Sequence, residues 1–174
     1  MRGWSIAALV LILAAAAVVF MRRPQQPPIR FTRFVAHIYD TAEPIAINAY
    51  TANMSSSASV GVRYSIGVAA PAGEAQKTEE DFWQQTVGKF QTDDSAFEPF
   101  TSSPQGSNWV TLKGPRISQG QLDELNKDNA MVLLAGKVRW RTDEGHGTLG
   151  FCVWFRRDTE VATLCRNHNG PLRE

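Results

Sequence analysis

The stretch FCVWFRRDTEVATLC, residues 151–165, contains both cysteines of the chain and decides how its last strands pair. Residues 151–156 and 161–165 are rich in β-branched and aromatic residues, which is typical of strands. The polar segment 157–160 between them supplies a turn. The stretch therefore predicts a β-hairpin that completes a meander with the strand before it.

The register of this hairpin places Cys152 opposite Cys165 if Asp158 and Thr159 form a two-residue loop. The pair then occupies a non-hydrogen-bonded site, with Cα atoms about 4.5 Å apart, which lies within the range that a disulfide tolerates. A four-residue loop keeps the two cysteines opposed but makes the site hydrogen-bonded, and a three-residue loop separates them. Two interpretations remain: a disulfide in an oxidising compartment, which we favour, or two reduced cysteines packed as small hydrophobes.

A zinc site is the other chemistry that these cysteines suggest. His146 precedes Cys152, and His168 follows Cys165 by three positions. Two cysteines and two histidines hold zinc in many proteins, but this spacing matches no standard finger. We therefore predict no metal and no cofactor.

Composition sets the class of protein. The chain has 174 residues, 18 basic and 17 acidic, with a formal net charge of +1. This length suits one domain with a short appendage, and the balanced charge argues against nucleic acid as a partner. Five tryptophans indicate a well-packed core.

The appendage is the N-terminal segment. Residues 4–21, WSIAALVLILAAAAVVFM, carry no charge and lack the polar face of a soluble helix. As a helix they span about 27 Å, close to the thickness of a bilayer core. We expect residues 1–23 to form a transmembrane anchor that inserts into the lipid bilayer through residues 4–21. Residues 14–16 resemble a signal cleavage site, but the apolar run continues beyond them, so we favour an uncleaved anchor.

The orientation of this anchor is open on the basic residues alone. One arginine precedes the span, and four follow it: Arg22, Arg23, Arg30 and Arg33. The positive-inside rule then places the domain in the cytoplasm, whereas a short basic leader before an apolar run places it outside. The expected disulfide favours a periplasmic domain, because disulfides persist in oxidising compartments. The expectation is a single-pass protein of the bacterial inner (cytoplasmic) membrane.

The remainder divides into a proline-rich linker, 24–30, and a folded domain, 31–174. The patterns predict strands over 31–40, 45–53, 60–70, 131–142 and 148–155, and helices over 77–90 and 118–127. We expect Thr78 to cap the first helix and Ser118 with Gln121 to form a capping box on the second. The core face of the final meander should carry Phe151, Val153, Phe155, Ala162 and Leu164.

Two surface features suggest contacts. Phe97 and Phe100 lie in a long polar loop, 91–107, and mark a partner contact if they are exposed; the alternative is a plain surface loop. Lys137, Arg139 and Arg141 alternate along one strand and predict a solvated basic face. An acidic partner or lipid headgroups are the alternatives for that face.

The order of these features resembles a group of uncharacterised bacterial single-pass membrane-anchored proteins that end in an FC…CxxHN pattern. The residues that carry the resemblance are Asn53, Gly136, Trp140, Phe151, Cys152, Cys165, His168 and Asn169. The resemblance implies an immunoglobulin-like β-sandwich and no assigned activity. This chain departs from the group at Met54-Ser55, where the others tend to have a glycine after the loop asparagine.

No catalytic motif is present in the sequence. It lacks a glycine-rich phosphate loop, a G-x-S-x-G elbow and an H-E-x-x-H pair. We therefore expect a mostly β, non-enzymatic accessory or structural subunit with no small-molecule substrate, which docks on a larger membrane protein complex. The alternative is a ligand- or metal-binding sensor domain built around the cysteines, His146 and His168.

Overall fold

A computed structural model describes residues 29–38, 41–53, 59–90, 97–100, 107–143, 145–157 and 162–172. The predicted anchor, 1–23, and most of the linker, 24–30, lie outside these ranges. Within them, no helix combines the length and the apolar character that a membrane crossing requires.

The described chain is mostly β, with two short α-helices, as the sequence predicts. The strands are β1 (Ile29–His37), β2 (Pro44–Asn53), β3 (Ser59–Ala69), β4 (Glu98–Phe100), β5 (Ser107–Arg116), β6 (Met131–Thr142), β7 (Gly145–Phe155), β8 (Thr163–Leu164) and β9 (Gly170–Pro171). The helices are α1 (Ala75–Gln85) and α2 (Gln119–Asn126), and single 3₁₀ turns cover Ala72–Glu74 and Val87–Lys89.

The strands form two antiparallel sheets that share one core. The three-stranded sheet has the order β1-β2-β5, and the six-stranded sheet has the order β4-β3-β6-β7-β8, with β9 also paired to β7. Alternate residues of β2, Ile45, Ile47 and Ala49, are buried and meet alternate residues of the six-stranded sheet such as Val62 and Phe151. This period-two burial is what a sandwich of two sheets requires.

The six-stranded sheet is also covered on part of its outer face. Trp83 and Val87 pack there against Met131, Leu133 and Ala135 of β6. The first six residues of β6 are therefore buried on both faces, whereas burial alternates from Lys137 onward, where α1 no longer covers the strand. The uniform run MVLLAG and the alternating run that follows it reflect this difference.

Helix α2 begins as predicted. The Ser118 hydroxyl accepts from the Gln121 N–H at 3.3 Å, and the Gln121 side chain accepts from the Ser118 N–H at 2.9 Å, which completes the capping box.

Helix α1 differs from its prediction at both ends. It begins at Ala75, and the hydroxyl of Thr78 donates to the Pro71 carbonyl at 3.0 Å, so Thr78 lies inside the helix and is not its cap. It ends at Gln85, and Val87–Lys89 continue as a 3₁₀ turn.

The final meander has the predicted strand order, β6-β7-β8, with one difference in its core face. Phe151, Val153 and Phe155 are buried and Ala162 packs against them, but the Leu164 side chain is 66% exposed. β8 is an edge strand of the wider sheet, so Leu164 extends past the common core.

Candidate functional site

The two cysteines form a disulfide between β7 and the segment after β8. Their sulfurs are bonded at 2.02 Å, and their Cα atoms are 5.3 Å apart. The Cys165 N–H donates to the Cys152 carbonyl at 3.0 Å, which is one of the two bonds of a hydrogen-bonded pair and is absent from the non-hydrogen-bonded site expected for a two-residue loop. Residues 158–161, which set the loop length, lie outside the described ranges.

Asn169 completes the hydrogen bonding at this disulfide. Its side-chain oxygen accepts from the Cys152 N–H at 2.9 Å. Its amide group donates to the carbonyls of Cys152 and Cys165, at 3.0 and 2.9 Å. One asparagine side chain thus supplies the contacts that a neighbouring strand would otherwise make.

The segment after Cys165 is held on α1 through charge and ring contacts. The Arg166 N–H donates to the buried carboxylate of Glu79 at 3.1 Å. The His168 ring stacks on Trp83 with centroids 4.0 Å apart, and its Nε2 lies 2.8 Å from a carboxylate oxygen of Glu80. These contacts connect the C-terminal segment, the disulfide and α1 into one packed corner.

The electrostatics of this corner favour a charged Glu80. Hydrogen bonds from Gln84 and then from His168 lower the pKa of the Glu80 carboxyl below its ordinary value of 4.5. Glu80 therefore has a partner on its own helix, Gln84, and a partner in the C-terminal segment, His168.

This arrangement does not favour the metal-binding alternative. Both sulfurs are consumed by the disulfide, and His168 is engaged with Glu80 and Trp83. His146 lies on β7, opposite Arg141, in an exposed position. In the described ranges, no three His, Cys, Asp or Glu side chains are grouped as metal ligands.

The two candidate contact phenylalanines lie at or next to β4. Phe97 is half-buried: its Cβ lies 2.9 Å from the position that a Cβ on Gly61 would take, and the Arg139 guanidinium sits 4.6 Å from its ring centroid. Phe100 pairs with Val60 in β4, and its side chain lies outside the description. The loop phenylalanine Phe97 is therefore packed on the sheet.

A more exposed aromatic pair lies on the outer face of the three-stranded sheet. Arg33, Tyr50 and Trp109 stand directly opposite one another on β1, β2 and β5, and we call them the aromatic row. The Trp109 side chain is 60% exposed. The strand β5 was not predicted, although the alternation of Val110 and Leu112 inward with Trp109 outward is its signal.

Hydrogen bonds fix the positions next to the aromatic row. The Asn48 amide group lies 3.0 Å from His37 Nε2, and the Asn48 carbonyl oxygen accepts from the Thr111 hydroxyl at 2.9 Å. These bonds cross all three strands, β1, β2 and β5. They hold the side chains next to the aromatic row in place.

A small cleft lies where β9 meets β7. Its volume is about 240 Å³, and its lining includes Trp140, His146 and Leu172. Ligand pockets for small molecules are usually about 300–1,000 Å³. The cleft therefore offers little support for a substrate site.

Comparison with known proteins gave no relative: the chain matches no protein-family model and no curated protein sequence.

Proposed function

We propose that this chain is a non-enzymatic, membrane-anchored accessory subunit whose β-sandwich docks on a larger membrane protein complex through the aromatic row. The observation that carries the proposal is the exposure of Trp109, at 60%, beside Tyr50 and Arg33 on a rigid sheet. Trp, Tyr and Arg are the residue types most enriched among those that dominate protein–protein binding energy.

Docking through the aromatic row would bury an exposed indole that already lies on an ordered sheet. An exposed indole leaves apolar surface in water, and burying it on a partner recovers roughly 25 cal/mol per Å². Asn48 is hydrogen-bonded to His37 and accepts from the Thr111 hydroxyl, which holds the neighbouring strands in place, so docking costs little additional conformational freedom.

Engagement of the histidines supports the non-enzymatic part of the proposal. His37 is bonded to Asn48, and His168 is bonded to Glu80 and stacked on Trp83. Both rings therefore make contacts that hold neighbouring elements of the domain together.

Strand order supports an immunoglobulin-like sandwich. The order β1-β2-β5 facing β4-β3-β6-β7 corresponds to strands A-B-E facing C′-C-F-G of that fold. In this proposal β8, β9 and α1 are additions to the basic arrangement.

The apolar N-terminal segment and the disulfide near the C-terminus support a location for the protein in the cell. The apolar residues 4–21 would anchor it in the bacterial inner membrane, and the Cys152–Cys165 disulfide supports a domain on the oxidising, periplasmic side. Alkylation of intact cells with a membrane-impermeant thiol reagent, before and after a reductant, tests this. Labelling only after reduction is expected. No labelling after treatment with a membrane-impermeant reductant contradicts the periplasmic placement, whereas labelling without reductant contradicts the disulfide.

The test of docking uses a photo-crosslinking amino acid in the full-length chain. Placed at Trp109, it should capture one stoichiometric protein from the membrane of the native host. Placed at Leu164, which is 66% exposed, it serves as the matched control and should capture none. Equal capture from both positions, or none from Trp109, contradicts the proposal.

A further inference from the structure

Four cations lie together on the outer face of the six-stranded sheet. Arg63 of β3 stands opposite Lys137 of β6, and Arg139 and Arg141 follow on the same face of β6. We call these four residues the basic strip. Side chains that alternate along a strand are about 7 Å apart on one face.

This arrangement opposes folding. Like charges directly opposite in a sheet are destabilising, and Arg63 faces Lys137 in that way. Lys137 and Arg141 form no ion pair within the described part of the chain. An anion that binds at such a cluster relieves the repulsion between its cations and so stabilises the fold.

Aromatic rings hold two of the cations against the sheet. The Arg63 guanidinium lies 4.4 Å from the Phe90 ring centroid, and that of Arg139 lies 4.6 Å from the Phe97 centroid. Stacking fixes the side chains before binding, so the strip is a preformed cationic surface.

The basic strip lies toward the end of the sandwich at which the N-terminal segment enters. β1 begins at Ile29, opposite the last residue of β2, and β3 begins after a short connection, with Ser59 opposite Arg141. Seven residues, 22–28, separate the predicted anchor, 4–21, from Ile29, and the eight extended steps from residue 21 to Ile29 reach about 25 Å. An anchored domain must therefore keep this end close to the headgroups.

Two acidic residues of the described chain lie near the basic strip, Asp143 after β6 and Glu98 on β4, and a larger group lies on the helices. Those of the helical regions are Glu74, Glu79, Glu80, Asp81, Asp123 and Glu124. α2 follows the end of β5 that is remote from Ile29, so its acids stand at the far end of the sandwich. A negatively charged surface would be attracted to the basic strip, whose four cations outnumber Asp143 and Glu98.

From the basic strip and its position we infer that this end of the domain lies on the bilayer and binds the phosphate groups of anionic lipids. The inference rests on the anchor in the proposed function and adds a second contact to it. The aromatic row lies on the other sheet, so lipid and protein contacts are compatible.

The test measures the distance of two sites from the lipid in the full-length chain. Because both native cysteines are in the disulfide, a new cysteine at Ser59, beside Arg141, or at Gln119, on α2, takes a fluorescent label alone. Each labelled chain is placed in nanodiscs of phosphatidylcholine with or without 30% phosphatidylglycerol, which carry a headgroup quencher. The Lys137→Gln/Arg141→Gln variant is compared in the same discs.

The expected result is stronger quenching at position 59 than at position 119 in the anionic discs. The difference should become clearly smaller in pure phosphatidylcholine, in 0.5 M salt and in the Lys137→Gln/Arg141→Gln variant, where only the linker holds this end near the headgroups. Equal quenching at both positions in anionic discs overturns the inference, as does a difference that the double substitution leaves unchanged. A protein cross-linked at the strip, with no such quenching difference, also overturns it.

Failure of the anchor gives a different result from failure of the strip. A chain that does not enter the discs contradicts the proposed anchor, and the same chain is then sedimented with anionic vesicles. Each basic residue near such a surface contributes about a fivefold factor in binding. Loss of pelleting by more than about tenfold in the double variant supports the strip, and equal pelleting overturns it.

Discussion

The side chain of Asn169 bonds to both the N–H and the carbonyl of Cys152, and so acts as a short piece of strand at the edge of β7. It also donates to the carbonyl of Cys165, on the other side of the disulfide. The asparagine thus joins the two arms of the hairpin next to their covalent link. Backbone groups at this edge are satisfied without a long neighbouring strand.

Replacing Asn169 should therefore destabilise the domain more than its exposed position suggests. Asn169→Ala leaves the Cys152 N–H and the Cys165 carbonyl without these partners, which should lower the free energy of unfolding by about 1–3 kcal/mol. Urea unfolding of the full chain in mild detergent measures this. Asn126→Ala, at the exposed end of α2, is the matched control and should change stability by less than about 0.5 kcal/mol. Equal effects from the two substitutions contradict the role assigned to Asn169.

The disulfide should contribute a modest, reductant-sensitive share of stability. Cys152 and Cys165 are 13 positions apart, and a bond that closes a loop of this length contributes about 2–3 kcal/mol. The Cys152→Ala/Cys165→Ala variant should lose that amount in urea unfolding. A reductant should lower the wild type to the same level and leave the variant unchanged. A wild type whose stability ignores the reductant contradicts a bonded pair.

The hairpin shows how much the sequence can specify. The type and order of β6, β7 and β8 follow from alternation and from the turn residues, and strand pairing brings Val153 opposite Leu164, one step from the cysteines. The sequence left the type of the cysteine site open between a two-residue and a four-residue loop, because Asp158 and Thr159 are weak turn signals.

Features that depend on tertiary contacts could not be predicted from sequence patterns. Threonine is a residue type that commonly caps helices, but the Thr78 hydroxyl donates to the Pro71 carbonyl, and the helix begins one turn earlier. The strand that carries Trp109 was missed because a polar segment and Gly114-Pro115 flank its alternating core. The stacking of His168 on Trp83 joins positions far apart in the chain, which no local pattern reveals.

Stability should fall in acid partly through Glu80. Its pKa is lowered in the folded state, first by Gln84 and then by His168, so the folded protein holds this proton less tightly than the unfolded chain. The contribution is present above pH 4.5 and is lost as the pH falls through the lowered pKa. The difference in unfolding free energy between wild type and Glu80→Gln should shrink between pH 6 and about pH 3.

The Gln84→Ala variant refines this test because it removes the largest cause of the shift. It should retain only part of the pH dependence, since the His168 contact remains. A wild-type advantage over Glu80→Gln that is the same at both ends of the pH range contradicts the assignment.

Two glycines offer a matched pair for testing the core. A Cβ on Gly136 would lie 2.5 Å from the Phe151 ring and from the Arg63 carbonyl, whereas a Cβ on Gly120 would meet nothing within 4 Å. Gly136→Ala should cost about 1–3 kcal/mol of unfolding free energy through overpacking. Gly120→Ala, inside α2, should add about 0.5–1 kcal/mol because alanine favours the helix. Thermal melts of both variants measure this, and a tolerated Gly136→Ala contradicts the tight contact between β6 and Phe151.

The last prediction concerns the aromatic row and separates the effect of a substitution on partner binding from its effect on stability. Trp109→Ala removes a side chain that is 60% exposed, so the free energy of unfolding should change by less than about 0.5 kcal/mol. If the row is a docking site, the same substitution should weaken partner binding by about 30-fold, which corresponds to about 2 kcal/mol for a residue that dominates an interface. Leu164→Ala removes a side chain of similar exposure from an edge strand and should leave binding unchanged. Co-purification of the partner from membranes, quantified for wild type and both variants, decides the matter: equal recovery with Trp109→Ala means that docking uses another surface.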